Sequence, residues 1–148
     1  MKVVIQRSLE AKVSVDGKTV GQIDKGMVIL VGFTYNDTIE DIDYMINKII
    51  NMRIYDDENG VMNKSILEVG GSILSISQFT LYADPYSGRR PSYVAALKGD
   101  EATKLYDIFN ERLSNHIHVE KGIFGADMKV SFTNDGPVTI LLESRKHA

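Results

Sequence analysis

The run Met27-Val28-Ile29-Leu30-Val31-Gly32-Phe33 limits the folds open to this chain more than any other stretch. It is far shorter than the roughly 18 apolar residues a membrane span needs, and it shows no polar alternation. Such a run reads as a strand buried on both faces. The segment after it reads as a helix. Ile39, Ile42, Ile46, Ile49 and Ile50, with Arg53 next, fall at the i, i+3, i+4, i+7 spacing of one buried face. Thr38 and Asp41 in front of them form a variant of the capping box. An isoleucine stripe of this kind is core, not a cofactor site.

Around these two segments the chain alternates between strand and turn signals. Residues 3–9 alternate with Val3, Ile5 and Arg7 on one face, and residues 11–15 read as a second strand. Asp16-Gly17 is a tight hairpin turn into residues 19–23, and Lys25-Gly26 is another turn. Arg7 is anomalous. An arginine among apolar neighbours usually keeps its head in water at a sheet edge, and the alternative is an ion-pair or interface role. Residues 53–55 resume extended structure. The acidic turn at residues 56–60 lacks the spaced ligands and closing glutamate of a calcium loop. Residues 92–97 read as a short helix. Residues 100–115 read as a stronger one, with Asp100 as N-cap and Ala102, Leu105, Tyr106, Phe109 and Leu113 inward. Residues 122–127 form a loop, then Met128, Val130 and Phe132 alternate as a strand, and residues 138–142 make the last one. Residues 145–148 are a polar tail. The order is strands, helix, strands, helix, strands, with mainly antiparallel pairing expected from the hairpin turns. The 148 residues suit one domain with a real core.

Composition removes several chemistries. The chain has no cysteine, so thiol nucleophiles, disulfides and cysteine-ligated metals are excluded. Its start has too short an apolar stretch for a signal peptide, and a cytoplasmic location is expected. His116 and His118 share a face of an extended segment, but no third ligand accompanies them, and no metal or other cofactor is expected. No P-loop, dinucleotide fingerprint or nucleophile elbow is present. The net charge of −3 argues against a protein that coats nucleic acid, though not against one that grips a short single-stranded end with a few local cations.

The chemistry gathers at one strand end. After Gly70-Gly71, Ser72, Leu74, Ile76 and Gln78 point one way and Ile73, Ser75, Ser77 and Phe79 the other. Ser77, Gln78 and Thr80 then place three polar groups where a core strand would stay apolar. Buried polar groups need partners, so this end is either a capped turn or a ligand site. Downstream, two prolines and a glycine forbid regular structure in residues 84–91. A surface dibasic pair is usually just solvated, but Arg89 and Arg90 there lie within about ten residues of the polar strand end, near enough in sequence to reach a phosphate of a ligand held at it.

The run Ser77-Gln78-Phe79-Thr80 resembles a signature of the D-aminoacyl-tRNA deacylases. Asn134-Asp135-Gly136-Pro137-Val138-Thr139 resembles that family's second signature, a Gly-Pro motif, and Val4-Ile5-Gln6-Arg7 resembles its start. The resemblance covers essentially the whole chain. It implies a layered β/β/α sandwich of mostly antiparallel strands in two sheets with two main helices. It implies hydrolysis of D-aminoacyl-tRNA, and of glycine misattached to tRNA, with L-aminoacyl-tRNA rejected. It also implies a homodimer in which the Gly-Pro motif of one subunit enters the other's pocket to meet the tRNA 3′ end. Arg7, Phe124 and Met128 join Gly136 and Pro137 as candidates for binding the substrate and selecting its hand. Ser77, Gln78, Phe79 and Thr80 are the catalytic candidates.

The residues bear on that reaction independently. An aminoacyl-tRNA ester is activated by its α-ammonium group, and the ribose supplies a vicinal hydroxyl. Its hydrolysis needs positioning and oxyanion stabilisation more than a strong nucleophile. An internal threonine with no base attacks poorly, so Thr80 is read as a hydrogen-bonding group. Backbone N–H groups around Phe79 and Thr80 are the oxyanion candidates, and Ser77 and Gln78 would hold the ribose or the carbonyl. Phe79 itself reads equally as core. The selectivity role of Gly136-Pro137 is what the resemblance implies: a cis turn would aim backbone into a pocket, where a rigid wall leaves room only for hydrogen. By residue pattern alone an ordinary strand-entry proline is the alternative.

Overall fold

The computed structural model describes residues 1–145; the rest of the expected polar tail lies outside the described residues. In order the elements are β1 (Lys2–Val15), β2 (Lys18–Ile23), β3 (Gly26–Gly32), α1 (Ile39–Asn51), β4 (Tyr55–Asp56), β5 (Met62–Lys64), β6 (Ser72–Ser77), α2 (Gly99–Ser114), β7 (Val119–Lys121) and β8 (Lys129–Glu143). No helix among the described residues is long and apolar enough to cross a membrane.

Two long strands organise the sheet. β1 pairs with β3 along Lys2 to Ser8 and with β2 along Ala11 to Val15, while β8 runs beside both halves. The remaining order is β3-β6-β7, so one six-stranded sheet results. The sheet doubles over on itself. In β2, a Cβ on Gly21 would come within 2.8 Å of the Lys121 carbonyl oxygen in β7. The two β layers are thus halves of one hydrogen-bonded sheet. Ala11, Val13, Ile23, Val28, Leu74 and Ile76 fill the space between them. The helices cover the other side, where Ile5, Ile29, Val31 and Ile73 meet Ile42, Met45, Ile49, Tyr106, Phe109 and Leu113. This is a β/β/α architecture. Within β3, Val28 faces one core and Ile29 the other, both fully buried, as the unbroken apolar run requires.

Pairing is antiparallel except at β3–β6 and β6–β7. Those two joints are parallel because α1 and α2 lie in the connections, as parallel neighbours demand. β6 therefore sits between two parallel strands, and its carboxyl end opens where ligands bind in such sheets.

Several local expectations need correction. Residues 3–9 and 11–15 are one strand, as are 129–143, because the apparent breaks are bulges. Ser8 faces Asn134 while Gln6 faces Thr139, so residues 135–138 are the extra length on β8. α2 begins one residue earlier than its expected cap. Lys98 occupies the N-cap without a side-chain bond, and Asp100 lies in the first turn, where negative charge suits the helix dipole. Residues 92–97 are not helical. The Ser92 N–H donates to the Asp84 carbonyl (2.8 Å) and the Leu97 N–H to the Phe33 carbonyl (3.0 Å), holding them in irregular structure. The α1 reading holds for the cap and the isoleucines: the Thr38 N–H donates to the Asp41 carboxylate at 2.8 Å, and Ile42, Met45, Ile46, Ile49 and Ile50 are buried, whereas Arg53 lies past the helix end at Asn51 and is exposed. His116 turns off the end of α2, whereas His118 meets Glu120, two residues on along the same face of the extended segment, at 3.0 Å. No cluster of three or more metal-ligating side chains occurs among the described residues. Arg145 is not a solvated tail residue, since it pairs with Asp37 at 2.7 Å.

Candidate active site

The polar end of β6 is built by a change in hydrogen bonding. The Gln78 N–H still donates to the Val31 carbonyl of β3, at 2.7 Å, prolonging the parallel pairing by one bond. The Gln78 carbonyl instead accepts the Leu81 N–H at 3.3 Å, which starts a single turn of 3-10 helix over Phe79–Tyr82. The N–H groups of Phe79 and Thr80 precede that first bond, as the leading donors of a helix always do.

A cleft of about 290 Å³ opens beside this turn. Ile76, Ser77, Gln78 and Phe79 form one wall, and Phe124, Met128 and Val130 form the other, with the loop Gly125-Ala126-Asp127 between. Residues about 50 apart in sequence are thereby joined. Ser77, Gln78, Phe79, Phe124 and Met128 are all candidates on sequence grounds; the small residues Gly125 and Ala126 read there only as loop. Their signal is nonetheless present, because consecutive small residues between two large apolar ones let backbone approach a ligand.

The cleft has a rigid back. The Phe124 ring packs 5.8 Å from that of Tyr106. The buried Tyr106 hydroxyl donates to the Ser75 carbonyl at 2.8 Å and accepts from the Ser75 hydroxyl at 3.2 Å. Burial pushes the Tyr106 phenol above its ordinary pKa. This hydrogen-bonded phenol ties α2 to β6 directly behind the cleft.

Charge is sparse. Among the described residues lining the cleft, Asp127 alone is ionisable, and Lys129 holds its carboxylate at 3.1 Å on the exposed side. The walls therefore offer hydroxyl, amide and backbone groups but no strong base. Gln78 Nε2 donates to Thr80 Oγ1 at 2.5 Å, leaving the threonine hydrogen to donate elsewhere. Thr80 is exposed at the turn and does not line the cleft wall. Phe79 is not core. It is 43% exposed, and its ring meets that of Tyr93 edge-on at 5.2 Å.

Gly136 and Pro137 do not line the cleft of their own chain. They sit exposed in the β8 bulge, joined by a cis peptide bond. Arg7 holds the bulge from below. Its Nε donates to the Asp135 carbonyl at 3.1 Å and its Nη1 to the Ile54 carbonyl at 2.8 Å, while the Asp135 and Asp56 carboxylates lie at 3.3 and 3.5 Å. At 7% exposure Arg7 is buried. The sheet-edge reading with its head in water fails, because bulge and β4 both cover it. Asn134 braces the other side by accepting the Val138 N–H at 3.2 Å. Arg89 and Arg90 are exposed in the loop closed by Asp84 and Ser92, and among the described residues neither has an ion-pair partner.

Fold and cleft together define a layered α/β protein with a small cleft of hydrogen-bonding groups at a strand's carboxyl end. A family profile described as D-Tyr-tRNA(Tyr) deacylase matches residues 4–143, and the chain belongs to that family. Among solved structures it is similar to one described as "c-Myc DNA Unwinding Element Binding Protein", at 38% identity and a TM-score of 0.92, covering 97% of this chain and 99% of that one. It shares its fold with one described as "Structural Analysis of a probable eukaryotic D-amino acid tRNA deacylase", at 17% identity and a TM-score of 0.82, covering 95% and 97%.

Proposed function

We propose that this chain hydrolyses the ester of D-aminoacyl-tRNA, releasing the D-amino acid and free tRNA. One observation carries the reading. Ser77, Gln78 and Phe79 share a cleft with Phe124 and Met128 in a member of this family, and that cleft presents hydrogen-bonding groups without a strong base. Such a site suits an ester already activated by its own ammonium group. Water attacks the carbonyl carbon, the ribose oxygen leaves with a proton, and the oxyanion meets the Phe79 and Thr80 N–H groups. Ser77 and Gln78 hold the ribose. Incubation with radiolabelled D-tyrosyl-tRNA tests this: tyrosine is released well above the uncatalysed rate, and release at the control rate refutes it.

Selection for the D-hand belongs to Gly136 and Pro137. Since they lie outside their own chain's cleft, they act in the cleft of a second copy, which makes the working unit a homodimer. A backbone wall there leaves room for hydrogen but not for an L-side chain, so glycine also passes. A tRNA substrate supports a cytoplasmic setting for this reaction.

Thr80→Ala is expected to lower kcat about tenfold, the value of one hydrogen bond. Steady-state kinetics checks it; complete loss together with a trapped threonyl ester would make Thr80 a nucleophile instead. Arg89 and Arg90 hold the acidic tRNA end. Their double alanine variant should raise KM severalfold and flatten its salt dependence by roughly 1.4 log units per log unit of salt, about 0.7 for each single-strand phosphate no longer neutralised. An unchanged KM at low salt would leave them a solvated turn.

The 38% identical relative, described as a DNA unwinding element binding protein, favours a second reading. On it the chain holds a nucleic-acid end without turnover. Release of the amino acid from charged tRNA separates the two.

A further inference from the structure

We propose that Tyr93 and Lys98, continuous with the cleft through Phe79, form a stacking platform for a base of the substrate's single-stranded 3′ end; this rests on the deacylase reading. Phe79 belongs to two surfaces at once. One side of it walls the cleft, and its ring meets Tyr93 at 5.2 Å with the planes 73° apart. Lys98 Nζ lies 5.1 Å from the Phe79 ring centre and 5.4 Å from that of Tyr93.

Three features make this more than packing. The first is exposure: Phe79 is 43% exposed and Tyr93 is partly exposed beside it, so solvent reaches both rings. The second is charge. Lys98 has no acidic partner among the described residues, in a chain whose net charge is −3. Its backbone forms the N-cap of α2, and its ammonium, which has no acceptor with which to cap a helix, reaches the two rings instead. The third is placement. Tyr93 follows Ser92, which closes the loop carrying Arg89 and Arg90. Aromatic faces beside cations that lack acids match a base and its phosphate, since every base has a π-face and every linkage a negative charge. An apolar peptide would leave the cation unanswered. With the ester in the cleft, the polynucleotide leaves past Phe79 and meets Tyr93 and Lys98 next.

Two measurements test this on the intact chain. One is the KM for D-tyrosyl-tRNA; the other is the Kd for a fluorescein-labelled single-stranded oligoribonucleotide ending in CCA, read by anisotropy. Tyr93→Ala should raise both about tenfold, the loss expected for one stacked base, with kcat within twofold of wild type. Tyr93→Phe, which keeps the ring, should bind as wild type does. Lys98→Ala should flatten the slope of log Kd against log salt by roughly 0.7. A Tyr93→Ala protein that melts normally and keeps both constants overturns the platform, as does an unchanged salt slope in Lys98→Ala. Loss of binding in Tyr93→Phe overturns it too, by tying the effect to the hydroxyl. The two readings fail separately. Wild-type hydrolysis with binding indifferent to Tyr93 and Lys98 removes the platform and keeps the deacylase. Binding that depends on both, without hydrolysis, keeps the platform and removes the deacylase.

Discussion

Gly136→Ala is expected to lower kcat/KM for a D-aminoacyl-tRNA about a hundredfold and to narrow the gap between D- and L-substrates. The backbone at Gly136 has φ +123°, where an L-residue is strained. A Cβ there would lie 2.9 Å from Val138 Cγ2, 3.1 Å from the Val138 nitrogen and 3.1 Å from Arg7 Nη2. Val138 could turn its methyl aside, but its backbone nitrogen and the held guanidinium cannot move freely. The bulge must shift, and displacement of a positioning element by about 1 Å can cost a hundredfold in rate. Strain of this kind is worth roughly 1–3 kcal/mol, so the melting temperature should also fall while the fold survives. The check is kcat/KM for a D- and L-aminoacyl-tRNA pair, beside a melting curve. A lowered melting temperature with an unchanged D:L ratio would make Gly136 structural and remove the bulge from the site.

Arg7 should give the second large effect, through the same bulge. Its guanidinium spans the Ile54 and Asp135 carbonyls, two acceptors on different segments. Alanine leaves both without their donor. Each such loss costs about 1–3 kcal/mol when buried, and the half-exposed Asp56 and Asp135 carboxylates add little beyond that. Arg7→Ala should therefore destabilise by roughly 3 kcal/mol in urea unfolding. Lysine has one ammonium and no fork. Arg7→Lys should recover part of the stability yet leave the bulge loosely placed, with the D:L ratio still reduced. If Arg7→Lys were as selective as wild type, Arg7 would be a packing residue rather than a support for selection.

The layers are legible in the sequence because their signals are local. The β3 run and the α1 isoleucines each declare their burial within a single element. Ser77 and Gln78 are also visible, as polar groups at a strand end, whereas Phe124 and Met128 are candidates only through the family resemblance. What stays hidden depends on partners far away in sequence. Arg7 is buried because the β8 bulge and β4 fold over it, and no local pattern encodes that. The bulges disguise β1 and β8 as pairs of shorter strands, since extra residues look like turns until the neighbouring strand is seen. Phe79 alternates like core but leaves the sheet one residue earlier, at Gln78, where the hydrogen bonding turns into the 3-10 helix. Lys98 carries no local signal, because its meaning lies in two aromatic rings that the fold alone brings to it.

The most direct test of deacylation with chiral selection is paired hydrolysis of D-tyrosyl-tRNA and L-tyrosyl-tRNA by the wild-type chain at equal concentrations. D-tyrosine should be released at rates well above the uncatalysed control, with L-tyrosyl-tRNA left intact over the same period. Equal release of both enantiomers, or release of neither, would contradict it.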